Sequence, residues 1–301
     1  MRITANTSAD NSLFYIQQGR AKLDKLAELI ASGQNVNRPS DDPISTNMIL
    51  GIADKLKTGD QYLSNIDKTK IQMQITGTAL QGMYDTLKIA RDLANSLVNG
   101  STDTQTLNNA VSQFQTLKQQ MIDYGNVRNG ETYLFAGADS MTAPFSGTAP
   151  YYGGDETTLN INIADSSTIK LNIPGNQILT ADTAVSQPYG STNILEAFDN
   201  LITAVGANDV AGINAGAQAL IAGAKQVNNA QTDIATRQIR LNSMEQMNSN
   251  NRNTLLTVVG DIQTVDYAKL GVELTQQQTA FNASLSATAK LTQMSLLDYI
   301  S

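Results

Sequence analysis

Apolar residues recur at helical spacing over both ends of the chain. Leu13, Ile16, Leu23, Ala27 and Ile30 fall on steps of three, four and seven, which places them on one stripe of a first helix. Gly33 follows the stripe and is suited to the left-handed cap that ends a helix. The polar stretch Asn35–Pro43 then reads as a turn. Asp42 can accept hydrogen bonds from the free N–H groups of a second helix, and Pro43, which lacks an N–H, sits where none is needed. The reading assigns Asp41 and Asp42 together to this cap. Ile49, Ile52, Leu56, Leu63, Ile66, Met73, Leu80, Tyr84 and Leu87 continue the pattern, with Gly59, Lys70 and Gly77 at intervening seam positions. If unbroken from Ile44 to Val98, that helix is about 80 Å long, too long for one globular core and suited to a rod. Beyond Asn99-Gly100-Ser101 the stripe Leu107, Ala110, Phe114, Leu117, Met121 and Tyr124, capped by Asp103, predicts an antiparallel return.

The period changes at Asn129-Gly130. Thr132–Gly137 reads as a strand, and Thr158–Ile163 and Thr168–Ile173 alternate at period two between turns at Asp165-Ser166-Ser167 and Pro174-Gly175-Asn176. Helical spacing resumes with Ile194, Leu195, Phe198, Leu201 and Ile202. It continues through Ile213, Leu220, Val227, Ile234, Leu241, Leu255 and Ile262, and ends in Leu270, Leu274, Phe281, Leu285, Ala289, Leu296 and Ile300. The predicted fold is mainly α with a β insert: a long antiparallel helical rod or bundle, a small β-rich outer domain, and both termini at one end. The few aliphatics on each terminal stripe predict ends that gain order from partner chains.

Composition narrows the chemistry. The 301 residues include no His, Cys or Trp, only 16% are charged, and Ser, Thr, Asn and Gln supply roughly a third. Without His or Cys there is no Ser-His-Asp triad, thiolate nucleophile, disulfide or imidazole metal site. The sequence predicts no cofactor, no metal and no catalytic residue. The N-terminal residues lack a signal-peptide apolar core, and no run of 18 apolar residues occurs, so neither conventional secretion nor a membrane partner is expected.

The net charge of −7 is uneven. Residues 131–209 hold nine acids against Lys170 alone, whereas the rest of the chain is nearly balanced. This predicts an acidic outer segment between helices that can approach copies of themselves, and no nucleic-acid partner. A carboxylate-dependent enzyme, such as a glycan hydrolase in the acidic segment, would need two carboxylates facing one pocket. A membrane-linked coiled-coil signalling rod would need a spanning segment.

Several short stretches stand out together: Met1-Arg2-Ile3-Thr4, Asn37–Ile44, Asn129–Gly137, Ala143-Pro144-Phe145, Tyr152–Asp155, and near the end Asp266-Tyr267-Ala268 with Leu274, Gln278, Phe281, Ala283, Ser284 and Ser295–Asp298. In combination they resemble the flagellin superfamily, and within it the hook-associated protein 3 family. Flagellins carry an Asp-Asp-Ala-Ala type of turn where this chain has Asp41-Asp42-Pro43, which weighs against the alternative of a filament subunit.

The resemblance implies a non-enzymatic structural axial protein of the bacterial flagellum, an adaptor between hook and filament. It implies export through the flagellar type III apparatus to the extracellular flagellum. It also implies a homo-oligomeric layer, with hook-associated protein 1, flagellin and a cytoplasmic export chaperone on the C-terminal region as partners. The expected division is residues 1–43 and 263–301 as halves of an inner coiled coil, 44–130 and 191–262 as halves of the helical rod, and 131–190 as the β-rich outer domain. Leu13, Ile16, Leu23 and Ile30 are expected to pack with Leu274, Phe281, Leu285 and Leu296 of the same or adjacent subunits.

Overall fold

The computed structural model describes residues 5–99, 103–181 and 187–300, with side chains over 10–98, 103–181 and 187–290. Among them are six helices: α1 (Ala5–Ser32), α2 (Pro43–Asn99), α3 (Thr104–Gly125), α4 (Ile194–Gly206), α5 (Val210–Gln263) and α6 (Tyr267–Ile300). Two antiparallel hairpins pair β1 (Arg128–Asn129) with β2 (Thr132–Tyr133), and β3 (Asn160–Ala164) with β4 (Ser167–Lys170). The chain divides into one unit of Met1–Lys57 with Asn251–Ser301, and a second of Thr58–Asn250.

The second unit is built on heptads. Along α2 from 66 onward, a buried seam runs through 66, 69, 73, 76, 80, 83, 87, 90, 94 and 97, alternating steps of three and four, with Ala79 and Thr86 buried beside it. Along α5 the same alternation runs from Ile213 through Gly216, Leu220, Gly223, Val227, Ala230, Ile234, Arg237 and Leu241 to Asn248, with half-buried Met244 in register. A seven-residue repeat keeps its seam facing a partner by left-handed supercoiling. The two helices run antiparallel: Lys70 pairs with Glu245 at 2.8 Å, and the Gln81 side chain accepts from that of Gln231 at 3.0 Å. Two of the α2 seam positions are Thr69 and Thr76, whose hydroxyls donate to Asn65 O and Gln72 O one turn back, so the buried polar groups are satisfied within the helix.

Helix α4 lies against α5 where glycine recurs at a seven-residue interval. A Cβ on Gly216 would stand 2.8 Å from Leu201 Cδ1, and one on Gly223 would stand 2.8 Å from Ile194 Cγ1. Asp103 caps α3 by accepting from Thr106 N at 2.7 Å, and Asn193 caps α4 by accepting from Glu196 N at 3.1 Å.

Pairing is shorter than the alternation suggests. The 132–137 segment pairs only over Thr132–Tyr133, after which Phe135 and Ala136 turn into the interior, fully buried. Gly137, at φ +71°, makes that turn possible: a Cβ there would meet Asp155 O at 1.8 Å. The second hairpin closes at 160–164 and 167–170. Beyond it, Asn172 Oδ1 accepts from Leu159 N at 2.8 Å in place of a ladder bond.

Ile163, Ile169, Ile173, Ile178 and Leu179 belong to the same apolar cluster as Leu80, Phe114, Phe198 and Leu220, so hairpin and helices share one core. Polar side chains on the helices hold the insert by its backbone. Asn65 donates to Asn162 O, Asn248 to Ile163 O, and Gln226 to Ile178 O and Thr192 O. Arg237 donates to Asn172 O at 3.1 Å while its other nitrogen pairs with Asp233 at 2.5 Å.

Candidate assembly surface on the terminal helices

The first unit is organised by the turn between α1 and α2. Gly33, at φ +67°, ends α1, and its N–H donates to Leu29 O. Asp42 Oδ1 accepts from the N–H groups of Ile44 and Ser45 at 3.0 and 3.1 Å, and its Oδ2 accepts from Ser45 Oγ at 2.6 Å. These bonds, the Ser45 hydroxyl first, hold the Asp42 carboxyl below the ordinary carboxylate range. Pro43 is the first residue of α2.

Asp41 does not join this cap, contrary to the sequence reading. It faces back: its Oδ2 accepts from Asn37 N and Arg38 N and pairs with Lys25 of α1 at 2.7 Å. Lys25 lowers the Asp41 pKa and is itself raised by Asp41, while Arg38 reaches Glu28 at 3.3 Å. The consecutive aspartates thus secure opposite sides of the turn, one on each helix.

Helices α1 and α6 pack antiparallel. Gly19 faces Phe281, whose Cδ2 would lie 3.2 Å from a Cβ at that position, and Gln277 Nε2 donates to Gly19 O at 3.5 Å. At the other end, Gly33 approaches the Tyr267 hydroxyl, Asn35 N donates to Gln263 O, and Gln34 bridges Thr264. Ile16, Leu23, Ile30, Leu274 and Phe281 are half-buried. Leu13 and Leu285 are exposed, at 55% and 42%. The Leu296 side chain lies outside the described residues. Periodicity could not indicate Gly19, because glycine contributes nothing to an apolar stripe; its spacing between Ile16 and Leu23 is the only available clue.

Burial separates the two units sharply. Among described side chains of the first unit, the buried hydrophobics are Ile52, Val265 and Leu270, against 39 in the second. Phe14, Tyr15, Ile44, Met48, Leu50, Leu256, Val258 and Val272 stand exposed beside Leu13 and Leu285.

In the acidic segment, Glu156 and Glu196 line one open hollow of about 470 Å³ with Tyr151 and Tyr152. Both carboxylates are solvent-exposed, without the dry enclosure on which glycoside hydrolysis draws. Among the described residues no three acids converge as metal ligands, and no helix is long and apolar enough to cross a membrane.

Comparison with known proteins adds lineage to this geometry. Residues 3–139 match the bacterial flagellin N-terminal helical region and residues 218–300 the bacterial flagellin C-terminal helical region. The chain is 22% identical over 312 residues to flagellar hook-associated protein 3 of Salmonella typhimurium, and 24% identical over 313 residues to that of Escherichia coli, covering 98% of each chain in both cases. The crystal structure of flagellar hook-associated protein-3 from Legionella pneumophila shares the fold at 13% identity with a TM-score of 0.61, covering 71% of this chain and 98% of that one.

Proposed function

The chain belongs to the flagellin superfamily, and from that premise we propose that it is a non-enzymatic structural subunit of the bacterial flagellum, the adaptor that joins hook to filament. Full-length similarity to two proteins named flagellar hook-associated protein 3 supports the junction role over that of a filament subunit. The filament reading draws on the flagellin regions matched at both ends.

The observation that carries the assembly reading is the unequal burial. Both units expose some large hydrophobics, but the second also buries 39 in a closed core, whereas the described part of the first, α1, α6 and the adjoining ends of α2 and α5, buries three. In this reading, neighbouring copies cover that surface by heterologous contacts, which generate a helically arranged layer rather than a closed dimer. Leu13, Ile16, Leu23 and Ile30 pack with Leu274, Phe281, Leu285 and Leu296, some within one subunit and some across subunits. Residues 1–43 and 263–301 form the inner coiled coil of that layer, 44–130 and 191–262 the rod, and 131–190 the outer face.

Hook-associated protein 1 lies on the proximal side and flagellin on the distal side. An export chaperone covers the C-terminal region before passage through the flagellar type III apparatus to the extracellular flagellum. The substitution Phe281→Asp places a charge against Gly19 in the helix pair. It is expected to abolish incorporation into flagella while leaving the 58–250 unit folded by circular dichroism and denaturant titration. Normal filament attachment by this variant would reject the role given to the terminal pair.

A further inference from the structure

All the sulfur of this chain resides in thioethers: there are nine methionines and no cysteine, and tryptophan and histidine are absent as well. Methionine is then the side chain that peroxides oxidise most readily, and access decides which copies react. The fold sorts them. Met73, Met83 and Met121 are fully buried in the core of the second unit, and Met244 is half-buried against it. Met48, Met141 and Met247 stand 51%, 67% and 42% exposed. The side chains of Met1 and Met294 lie outside the described residues.

The three exposed methionines differ in their surroundings. Met141 sits in a polar turn where Thr142 donates to Asp139, and Met247 lies on α5; both belong to the second unit, whose core is closed without them. Met48 belongs to the first unit. It follows Ile44 by four residues on α2, so the two side chains share one helix face, and both are exposed, as is Leu50. Of the three, Met48 alone stands among the apolar residues to which the assembly role has been given.

We propose that Met48 is a peroxide-sensitive modification site whose oxidation weakens assembly through the first unit, an inference that rests on the assembly reading above. The sulfur lone pair attacks one oxygen of hydrogen peroxide. An S–O bond forms as the O–O bond breaks, and the departing oxygen takes up the proton and leaves as water, so the sulfur is oxidised as the peroxide is reduced. The product is a sulfoxide, polar and hydrogen-bond accepting, where a flexible apolar side chain stood. Covering it with a neighbouring copy that offers no donor is unfavourable, whereas in the free chain water satisfies it. A thiol-dependent methionine sulfoxide reductase restores the thioether, which makes the change reversible.

The test has a chemical and a cellular arm. The full-length protein is treated with graded hydrogen peroxide, and the sulfoxide at each methionine is quantified by peptide mass spectrometry. Met48, Met141 and Met247 should react roughly tenfold or more faster than Met73, Met83 and Met121. In cells, Met48→Gln supplies a polar side chain of similar length and good helix propensity, and should lower the number of attached filaments roughly tenfold, while Met141→Gln leaves it normal. Met48→Leu cannot form a sulfoxide. It should support attachment, and growth under peroxide should reduce attachment in the parent strain but not in this one; that comparison decides the matter even if the Met48→Gln chain fails to fold by circular dichroism. Oxidation of Met48 no faster than that of Met73, or equal peroxide sensitivity of the parent and Met48→Leu strains, would overturn the proposal. Normal attachment by a folded Met48→Gln chain while Phe281→Asp abolishes it would overturn the switch and leave the assembly reading standing. Normal attachment by both variants would overturn that reading and the switch with it.

Discussion

Two helical glycines, one on α5 and one on α2, show how closely side-chain volume is matched here. Gly216→Ala places a methyl 2.8 Å from Leu201 Cδ1 and 3.1 Å from its Cβ, so the overpacking outweighs the helix propensity gained. Urea unfolding should show a loss of about 1–2 kcal/mol. Gly59→Ala in α2 meets nothing within 4 Å and should gain up to about 1 kcal/mol by the same measurement. The paired aspartates give a pH signature. Asp41 and Asp42 both have carboxyl pKa values below the ordinary 3.8, so their stabilisation is present above that value and is lost as pH falls through the depressed one. Amide NMR shifts of Arg38, Ile44 and Ser45 should stay flat from about pH 5 to 8 and titrate with midpoints below 3.8. The sequence makes Asp42 legible as a cap, since cap preference is local. It leaves the partner of Asp41 illegible, because Lys25 lies about two helix turns and a loop away and only the folded chain brings them together.

At the scale of elements, every long helix is legible from spacing, because an apolar stripe of that length has no other way to bury itself. The polar half of the seam is not. Thr69, Thr76, Arg237 and Asn248 occupy core positions that hydrophobic periodicity skips, and each is tolerated only through a hydrogen bond that the folded state supplies. The hairpins are likewise half legible. Alternation identifies β3 and β4, but the burial of Phe135 and the turn at Gly137 depend on Asp155, eighteen positions on. Arg237 connects these elements, binding Asp233 on its own helix and the backbone of the insert at Asn172. Arg237→Ala removes those donors and should cost about 2–3 kcal/mol in urea unfolding. Proteolytic nicking should appear near 165–175 before elsewhere, since the backbone at Lys170 and Asn172 loses its anchor.

The molecule as a whole combines one unit with a closed core and one whose apolar surface is largely uncovered. That contrast predicts a gradient in hydrogen exchange of the monomer: slow exchange within 66–97 and 213–248, and fast exchange across α1 and α6. Slow exchange of α1 and α6 in the isolated chain would mean that the terminal pair is stable without partners. Missing His, Cys and Trp are compatible with the structural role proposed above, and neither the composition nor the stripes could by themselves reveal which surface stays open. The role at the junction is tested most directly by electron microscopy of a strain lacking this gene, with flagellin assayed in the medium. The account predicts hooks without attached filaments and flagellin lost as monomer. Filaments still attached to those hooks would contradict it.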